Sequence, residues 1–537
     1  MLSRREMLTV LVGAPIAALA CQRYRRHEYA GRIVGGNKSF GHRVLDASLD
    51  VGGANTEEVE IAIVGSGVAG LSAAWRLERQ GEPRYVVLEL ESQSGGTSCY
   101  ATDGIVPYPW AAHYLPVPDS SNVELTALLK EIGGFDPDKN GQLEPAENML
   151  VRAPDERLYV DGRWISGLLP RSRMLPADWA EFARFQGQVR QWVAFRDDHG
   201  RRAFALPLSN CSPDSPWVKA DSMSAAAWLS AENYRSKVLR WWLEYGCRDD
   251  YGCNLDTTSA WALMHYHSAR VPNPGAPSAP FLTWPEGNGR LVRHFERVIG
   301  TRMRHHQLVV KVTPAEQHVD LTVLQSNGNA PYRLRARHVI LAVPRFIAAH
   351  LLSSWPTGAL ERSESFTYVP WMVANLHLKE RPYSEQFPLA WDNVLLDSPS
   401  LGYVVATHQT LRDEGPTILT YYFPFTEVEP QTARSRLAAL DHSECCDVIM
   451  SDLVRAHPDL PDLVERIDIW RWGHAMIRPI PGLIWGTDRS EARKSRGRVH
   501  FANTDLSGVA LFEEAHAHGI RAADAILKER QAVPSVG

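Results

Sequence analysis

The most regular pattern of apolar and polar positions lies between residues 59 and 89. An apolar run, Ile61–Val64, enters a glycine-rich turn, a segment of small and apolar residues follows to Trp75, and a second apolar run, Val86–Leu88, ends in an acid. This order predicts a strand that begins near Val59, a turn, a helix and a second strand. Together they form the first unit of a parallel α/β sheet.

The turn of this unit carries the glycine spacing of a dinucleotide-binding site. Gly65 permits the tight turn, Gly67 lets the backbone approach a pyrophosphate at the helix N-terminus, and Gly70 allows helix and strand to pack closely. Glu89 stands about twenty residues further on, where it can accept hydrogen bonds from ribose hydroxyls. The alternative is an ordinary glycine turn. The cofactor contacts expected from this unit are Gly65, Gly67, Val68, Ala69, Gly70 and Glu89.

Five later segments, in order along the chain, match a known family. They are Ser94–Thr97 with its glycine pair, Trp284–Leu291, Leu308–Val312, Val339–Pro344 and Gly497–Ala523. With the glycine turn they resemble the flavin-containing amine oxidase superfamily, and the resemblance covers most of the chain after residue 58. It implies FAD as the cofactor. Because no cysteine precedes the closing strand where some members attach the flavin, a non-covalent FAD is expected. The further FAD contacts that it implies are Gly95, Gly96, Thr97, Val309 and Asp505.

The resemblance also implies the fold class, which is α/β: a Rossmann-type FAD-binding domain intertwined with an α+β substrate domain. A chain of 537 residues is too long for one compact core. The FAD-binding domain is expected at 58–118, 280–350 and 495–530. The substrate domain is expected at 119–279 and 351–494.

Composition narrows the class of protein. Apolar residues make up 44% and charged residues 22% of the chain, as in ordinary globular proteins. A net charge of -5 provides no basic surface for nucleic acid. Seven cysteines are too few to stabilise a chain of this size by disulfides, and no cysteine–histidine spacing is typical of a zinc site.

The first 21 residues have the pattern of an export signal. Arg4 and Arg5 form a twin-arginine pair, and an apolar stretch over 8–20 ends in small residues before Cys21. We predict export of the folded, FAD-loaded protein to the periplasm by the twin-arginine machinery. A flexible tether is expected over 22–57. Two alternatives stay open, an uncut membrane anchor and a lipidated Cys21.

The resemblance implies hydride transfer from a small organic substrate to flavin N5, and five residues are candidates for the catalytic site. Amine oxidases have a lysine six residues after the proline of the Ala-x-Pro turn, and here that position is His350, which can still hold a water or relay a proton. His113 lies in the loop that the family places beside the flavin ring. Asp249 and Asp250, among large aromatic residues, suit a cationic substrate, although a buried salt-bridge corner is the alternative. The segment around His474 is similar to the protoporphyrinogen oxidase and carotenoid desaturase branches.

These features leave three functions open. An amine is the first candidate for the substrate, with dioxygen or a quinone-type compound as electron acceptor. The second possibility is a desaturase or protoporphyrinogen-oxidase-like enzyme. The third is a non-catalytic, calcium-stabilised FAD-binding module that serves a partner.

The calcium site of the third possibility is predicted from a separate sequence motif. Residues 136–147 match the twelve-position EF-hand loop, with oxygen ligands at positions 1, 3, 5 and 12 and a glycine at position 6. An acidic surface turn is the alternative, because glycines precede the loop and Pro145 opens the exit helix. The expected ligands are Asp136, Asp138, Asn140, Gln142 and Glu147.

Overall fold

The computed structural model describes residues 28–45, 56–138, 141, 143–328, 330–352, 365–385 and 387–532. Its strands are β1 (Ile33–Val34), β2 (Thr56–Val64), β3 (Tyr85–Leu88), β4 (Tyr100–Ala101), β5 (Tyr108–Pro109), β6 (Tyr114–Pro116), β7 (Phe135–Pro137), β8 (Leu143–Pro145), β9 (Glu156–Val160), β10 (Arg163–Ser166), β11 (Phe281–Thr283), β12 (Met303–Arg304), β13 (Gln307–Pro314), β14 (Val319–Gln325), β15 (Tyr332–Leu341), β16 (Tyr368–Leu378), β17 (Asp392–Leu395), β18 (Tyr403–Val405), β19 (Thr417–Pro424), β20 (Val464–Ile477) and β21 (Val499–Phe501).

Its helices are α1 (Lys38–Gly41), α2 (Val68–Arg79), α3 (Val123–Glu131), α4 (Pro176–Ala194), α5 (Ala225–Ala231), α6 (Lys237–Tyr251), α7 (Ala260–Ser268), α8 (Gly289–Ile299), α9 (Arg345–Leu351), α10 (Pro430–Ala439), α11 (His442–Leu453), α12 (Leu460–Leu463), α13 (Thr487–Ala492) and α14 (Phe512–Ala532). None of the helices that the structure describes has the length and apolarity needed to cross a bilayer. The predicted export signal, 1–21, lies outside the described residues.

The first large sheet is built around the unit that the glycine pattern predicts. Its strand order is β12-β3-β2-β15-β14-β13, and β21 also pairs with β15. The strands β12, β3, β2, β15 and β21 are parallel, and β13 and β14 are antiparallel to their neighbours. The register aligns Val64 with Leu88 and with Leu341. The ends of three strands therefore meet at the glycine turn.

Helices α2, α8 and α14 cover one face of this sheet. Apolar residues of the three helices share a core with Ile61, Ile63 and Ile340 of the strands. Helix α3 contributes Leu125, Leu128 and Leu129 to the same core. The boundary predicted at residue 118 is therefore wrong for this helix, because its apolar face packs on the FAD side rather than in the substrate domain.

The second large sheet has eight strands in the order β1-β20-β16-β19-β18-β17-β9-β10. Every residue of β16 and β19 is buried, because helices α10 and α11 cover one face and aromatic residues cover the other. Helices α4 to α7 form a separate helical core beside the sheet. The segments between the three parts of the FAD side thus build a substrate domain of helices and sheet.

The segment predicted as a tether contains ordered structure. Strand β1 pairs in parallel with β20, with Ile33 opposite Ile469. Gly31 has φ of +131°, and a Cβ there would lie 2.0 Å from the carbonyl oxygen of Ile467. Residues 30–34 therefore form the edge of the substrate sheet, and the prediction of a flexible tether is wrong for them. Periodicity missed this strand because it has only two residues.

The segment predicted as a calcium loop folds as a hairpin. Strands β7 and β8 pair antiparallel, with Asp136 opposite Glu144. An EF-hand needs a helix on each side of its loop, and here strands take both places. Asn140 and Gln142 lie outside the described residues. The geometry on which the calcium prediction depended is not formed, and calcium is not supported.

Candidate active site

Close backbone contacts hold the turn between β2 and α2. Gly65 has φ of +95°, and a Cβ there would lie 2.7 Å from the carbonyl oxygen of Ala342. A Cβ on Gly70 would lie 2.0 Å from the carbonyl oxygen of Gly65. Any side chain larger than hydrogen at either position would push the helix away from the sheet.

The N-terminus of α2 opens onto a concave surface between two glycine turns. Gly67 precedes the helix without a side-chain cap, and an added Cβ there would meet nothing within 4 Å. The second turn lies alongside, because Gly95 forms a bridge with Gly67 and both Gly95 and Gly96 have positive φ. The first N–H groups of the helix, at Val68 and Ala69, therefore face a space suited to a phosphate group.

Glu89 orients the glycine turn from the end of β3. Its Oε2 accepts hydrogen bonds from the backbone N–H of Ser66 at 2.8 Å and from Ser66 Oγ at 2.6 Å. Its Oε1 accepts one from the N–H of Glu91 at 2.9 Å. A carboxylate has about four acceptor sites, so Oε1 keeps capacity for a ribose hydroxyl.

Asp505 lies where the two sheets meet. Its Oδ2 accepts hydrogen bonds from the backbone N–H of Arg345 at 2.6 Å and from the Tyr368 hydroxyl at 2.5 Å. Burial raises the pKa of Asp505 to about 6. The carboxyl group thus connects the segment after β21 to α9 and to the first residue of β16. Its predicted contact with FAD stays a prediction.

Strand β13, where the adenine contact at Val309 is predicted, is interrupted by a bulge. The register against β14 shifts between Val309 and Lys311, so Val310 has no partner on that strand. A bulge leaves the peptide groups of the extra residue outside the ladder. Backbone groups at this point are therefore available to a base, and the contact itself stays a prediction.

A loop joins the glycine turns to the substrate side. The N–H of Ala112 donates to the carbonyl oxygen of Thr97 at 3.0 Å, and the N–H of Asn288 donates to the carbonyl oxygen of Ala112 at 3.0 Å. The Thr283 hydroxyl donates to the carbonyl oxygen of His113 at 2.7 Å. His113 therefore directly follows the residue that contacts the second glycine turn at Thr97, and its own carbonyl group is held by Thr283.

His113 belongs to a group of aromatic rings in tilted and edge-to-face contact, which we call the aromatic wall. Its ring centroid lies 4.9 Å from Tyr422 and 5.2 Å from Trp391, and the Tyr114 ring lies 4.6 Å from Phe281. Burial lowers the pKa of His113 to about 4, so the ring is neutral at pH 7. A small pocket lies beside it, lined in part by His113, Thr283, Trp284, Trp391 and Thr420.

Acidic side chains lie directly behind the aromatic wall. Asp250 Oδ2 is 2.8 Å from Arg270 Nη2, and the two side chains are 3% and 7% exposed. The Tyr114 hydroxyl donates to Asp250 Oδ1 at 3.1 Å and lies 3.4 Å from Asp249 Oδ2. Burial and the neighbouring Asp250 raise the pKa of Asp249 to about 7. The predicted pair is therefore divided: Asp250 is paired with Arg270, and Asp249 forms no such ion pair with any residue that the structure describes.

Two further acids extend this group. Glu156 of β9 lies opposite Asp392 of β17, and the Tyr245 hydroxyl donates to Asp392 Oδ2 at 3.2 Å. Burial raises the pKa of Glu156 to about 7 and raises that of Asp392 well above its ordinary value, with Glu156 and Asp249 as further causes. We call Glu156, Asp249, Asp250 and Asp392 the carboxylate cluster. When ionised, it carries more negative charge than Arg270 neutralises.

The structure does not bring all five predicted catalytic residues together. His113, Asp249 and Asp250 meet through Tyr114. His474 lies elsewhere, with its ring 4.4 Å from Phe346 and 5.8 Å from Tyr368, beside the Asp505 junction.

His350 also lies apart from the other predicted catalytic residues. It is exposed on the last turn of α9, because this short helix buries Ala348 and Leu351 and turns His350 outwards. It belongs neither to the aromatic wall nor to the carboxylate cluster, and its role beside the flavin stays a prediction.

The sequence analysis missed several members of the site. Glu156, Arg270, Trp391 and Asp392 lie singly in unrelated segments, so no local spacing marks them. Tyr422 lies in an apolar strand, where a tyrosine is more often a core residue. A weak indication was present: Glu156 and Asp392 each begin a buried strand, and acids at such positions are uncommon.

Comparison with known proteins supplies the family. The model for flavin containing amine oxidoreductase matches residues 68–527. The chain belongs to this family. It is therefore a flavin-dependent oxidoreductase, and the predicted mixed α/β fold with FAD-binding and substrate parts is confirmed.

Individual relatives are distant. Oxidoreductase PigB of Serratia sp. (strain ATCC 39006) is 22% identical over 530 residues, which covers 88% of this chain and 75% of the relative. The structure of cyclohexylamine oxidase from Brevibacterium oxydans IH-35A is 18% identical with a TM-score of 0.64, and wild-type putrescine oxidase bound to putrescine is 16% identical with a TM-score of 0.65. Both matches cover 88% of this chain and all of the other. At such identities the two structures establish the fold alone.

The residues present fit the FAD that the family implies. The uncapped N-terminus of α2 and the open space at Gly67 suit the pyrophosphate, and the remaining capacity of Glu89 suits a ribose. The Asn288 Oδ1 and Trp284 Nε1 atoms, both buried, have no hydrogen-bond partner among the described residues. Buried polar atoms without partners are rare in native proteins, so these two are suited to contact a bound group.

Proposed function

We propose that the protein oxidises a small amine that enters the site as an ammonium cation. The observation that supports this substrate class is the carboxylate cluster behind the aromatic wall. Four acids and one arginine meet there, and burial strengthens their attraction for a cation over that of exposed acids. Aromatic rings such as Trp391 and Tyr422 add a favourable face for the same charge.

The residues of the site have separable tasks. FAD, when bound, supplies the hydride acceptor. The aromatic wall excludes water and orients the carbon chain. Asp249, with its pKa near 7, can hold the ammonium group and then accept its proton at Oδ2. Tyr114 positions both aspartates through its hydroxyl group, and Arg270 forms an ion pair with Asp250.

The test is an anaerobic titration of the flavin-loaded protein with a panel of monoamines, diamines and matched alcohols, followed by the visible spectrum. We expect at least one amine to bleach the flavin band and the alcohol of the same length to leave it unchanged. Asp249→Asn should slow reduction by about a hundredfold, the usual contribution of a general base. Asp214→Asn, at an exposed acid, is the matched control. Reduction by a porphyrinogen and by none of the amines would overturn the proposal.

The location of the reaction is a second proposal. We infer from Arg4 and Arg5 that the chain is exported in the folded state by the twin-arginine machinery. The reduced flavin is then reoxidised outside the cytoplasm by dioxygen or a quinone. Changing both arginines to lysine should retain the protein in the cytoplasm with its flavin bound, as fractionation of cells would reveal. Equal periplasmic amounts of the two forms would contradict the inference.

A further inference from the structure

A group of three metal-ligating side chains lies on the sheet of the FAD side, apart from the residues of the active site. His338 is in β15 and His500 is in β21, two neighbouring parallel strands. His500 lies opposite Ile340, so His338, two positions earlier, shares its face of the sheet. Glu529 approaches from the last turn of α14, the helix that packs on this face.

The three side chains have the spacing of a tetrahedral site. His338 Nδ1 is 3.4 Å from His500 Nε2 and 3.7 Å from Glu529 Oε2, and all three ligand atoms lie within 4.8 Å of one another. Zinc binds histidine nitrogen and carboxylate oxygen at about 2.0–2.2 Å, so two ligands of a zinc tetrahedron are separated by about 3.4 Å. The separation of the two histidine nitrogens equals this value, and the Glu529 oxygen can reach it by a small movement of its half-exposed side chain.

The surroundings also orient the ligands. Ser495 Oγ lies 2.9 Å from His500 Nδ1, and it can accept the proton of that nitrogen and leave the Nε2 lone pair free. Both histidines are buried, whereas the Glu529 side chain is 51% exposed. An ion can therefore enter from the side of Glu529, and a water can complete the four ligands.

Four arginines oppose a cation here, because the charges of Arg337, Arg498 and Arg530 act on His338 and that of Arg521 acts on His500. Arg498 Nη1 lies 3.4 Å from His338 Nε2. When His338 binds an ion through Nδ1, Nε2 carries the proton, and Arg498 has to give up this contact. Its other nitrogens keep partners at the Glu316 carbonyl and at Gln317, at 3.3 and 3.4 Å. These arginines lower the affinity of the site for a cation.

We propose that His338, His500 and Glu529 bind one divalent transition metal ion, best matched by zinc, which fastens the end of α14 to β15 and β21. The same helix packs closely on α2, where a Cβ on Gly519 would lie 2.2 Å from the carbonyl oxygen of Ala69, so the ion stabilises an element that covers the FAD-side sheet. Nothing in this inference depends on the identity of the substrate.

The experiment uses the flavin-loaded chain, purified without a histidine tag and freed of metal by a chelator. Zinc is added during calorimetry, and bound zinc is then counted by elemental analysis. We expect one zinc per chain and a rise in melting temperature. His500→Ala and Glu529→Gln should each weaken zinc binding by at least about tenfold, since each removes a ligand. The visible flavin spectrum of each variant shows whether it is folded.

His199→Ala, at an exposed histidine in a turn, is the matched control and should bind zinc as the wild type does. Two results would overturn the proposal. One is a wild-type protein that takes up no stoichiometric zinc. The other is unchanged zinc affinity in both Glu529→Gln and His500→Ala, which would place the bound ion elsewhere.

Discussion

Asp249 and Glu156 each have a pKa raised to about 7, so both are mainly neutral at pH 6 and mainly charged at pH 8. Cation binding should therefore strengthen as the pH rises. A quaternary ammonium ion is the suitable probe, because its own charge does not titrate. We expect its Kd, measured through the flavin spectrum, to fall by about tenfold between pH 6 and pH 8, since one pKa unit corresponds to about 1.4 kcal/mol. Asp250, Asp392, Arg270 and Glu513 face the same group and set its background charge.

The sign of the effect follows from the direction of the shifts. Both carboxyl groups are easier to protonate in the folded protein than in the unfolded chain. The unliganded fold therefore loses stability as the pH rises from about 4 to about 7, and a bound cation compensates for that loss. Asp249→Asn should flatten the pH dependence of Kd, whereas Asp214→Asn should leave it unchanged. A Kd independent of pH in the wild type would contradict a titrating cluster.

Gly67 and Gly70 should respond differently to alanine. A Cβ at Gly70 overlaps the carbonyl oxygen of Gly65 at 2.0 Å, so Gly70→Ala should destabilise even the apoprotein by more than about 3 kcal/mol. A Cβ at Gly67 meets no protein atom within 4 Å, so Gly67→Ala should fold normally. It should nevertheless raise the Kd for FAD by at least about tenfold, because the methyl group fills the phosphate space. Equal effects on apoprotein melting would contradict this distinction.

Residues differ in how well their roles can be predicted from the sequence. Gly65 and Gly70 act on backbone within a few positions of themselves, so spacing alone was sufficient to predict their roles. Arg270 and Asp392 become site residues only through partners far away in the chain, Asp250 and Glu156, which no local pattern indicates. His350 shows the limit of counting along the chain. The count gives its distance from the proline turn, but the direction of its side chain depends on which residues α9 buries.

At the scale of elements, the short strand β1 makes a prediction about stability. Its backbone protects the edge of the substrate sheet, and Ile467 N–H and Ile469 N–H donate to the carbonyl oxygens of Ala30 and Arg32 at 2.8 and 2.9 Å. Gly31→Ala should break this pairing, because a Cβ would meet the Ile467 carbonyl and φ is +131°. The expected cost is about 2 kcal/mol in the free energy of unfolding.

Gly187→Ala provides the control for this change. Gly187 lies within α4, and its added Cβ would come no closer than 3.7 Å to another residue. Alanine there should leave stability unchanged or raise it by up to about 1 kcal/mol. Chemical denaturation of both variants measures the two effects. A Gly31→Ala protein as stable as Gly187→Ala would mean that β1 does not stabilise the sheet.

Elements were predictable where apolar residues recur with one period over several turns or positions, as in β2, α2 and β3. The hairpin of β7 and β8 was not, because the same acidic and glycine residues that suit a calcium loop also suit an exposed turn. The spacing of the motif fixes only the order of the oxygen ligands along the chain. The flanking elements decide whether those oxygens can converge, and here the flanking residues pair as strands.

At the scale of the whole molecule, the two sheets are joined by several chain crossings and by direct bonds. Asp505 of the FAD side accepts hydrogen bonds from Tyr368 at the start of β16 and from Arg345. The loop of His113 contacts the glycine turns at Thr97, and Tyr422 of the substrate sheet donates to Ala111 at 2.7 Å. Independent unfolding of either part is therefore costly, because breaking these bonds would leave buried polar groups without partners.

We therefore expect the holoprotein to unfold in one step. Flavin fluorescence reports release of FAD, and circular dichroism reports loss of both sheets. The two midpoints should coincide, because the FAD-side sheet cannot open without breaking the Asp505 and Thr97 contacts to the substrate side. Excess FAD at about one hundred times its Kd should raise the free energy of unfolding by about 2.7 kcal/mol and move both midpoints together. Tyr368→Phe removes one bond between the parts and should lower both midpoints equally. Release of flavin well below the loss of sheet signal would show that the FAD side opens first, and the coupling argued from these bonds would be wrong.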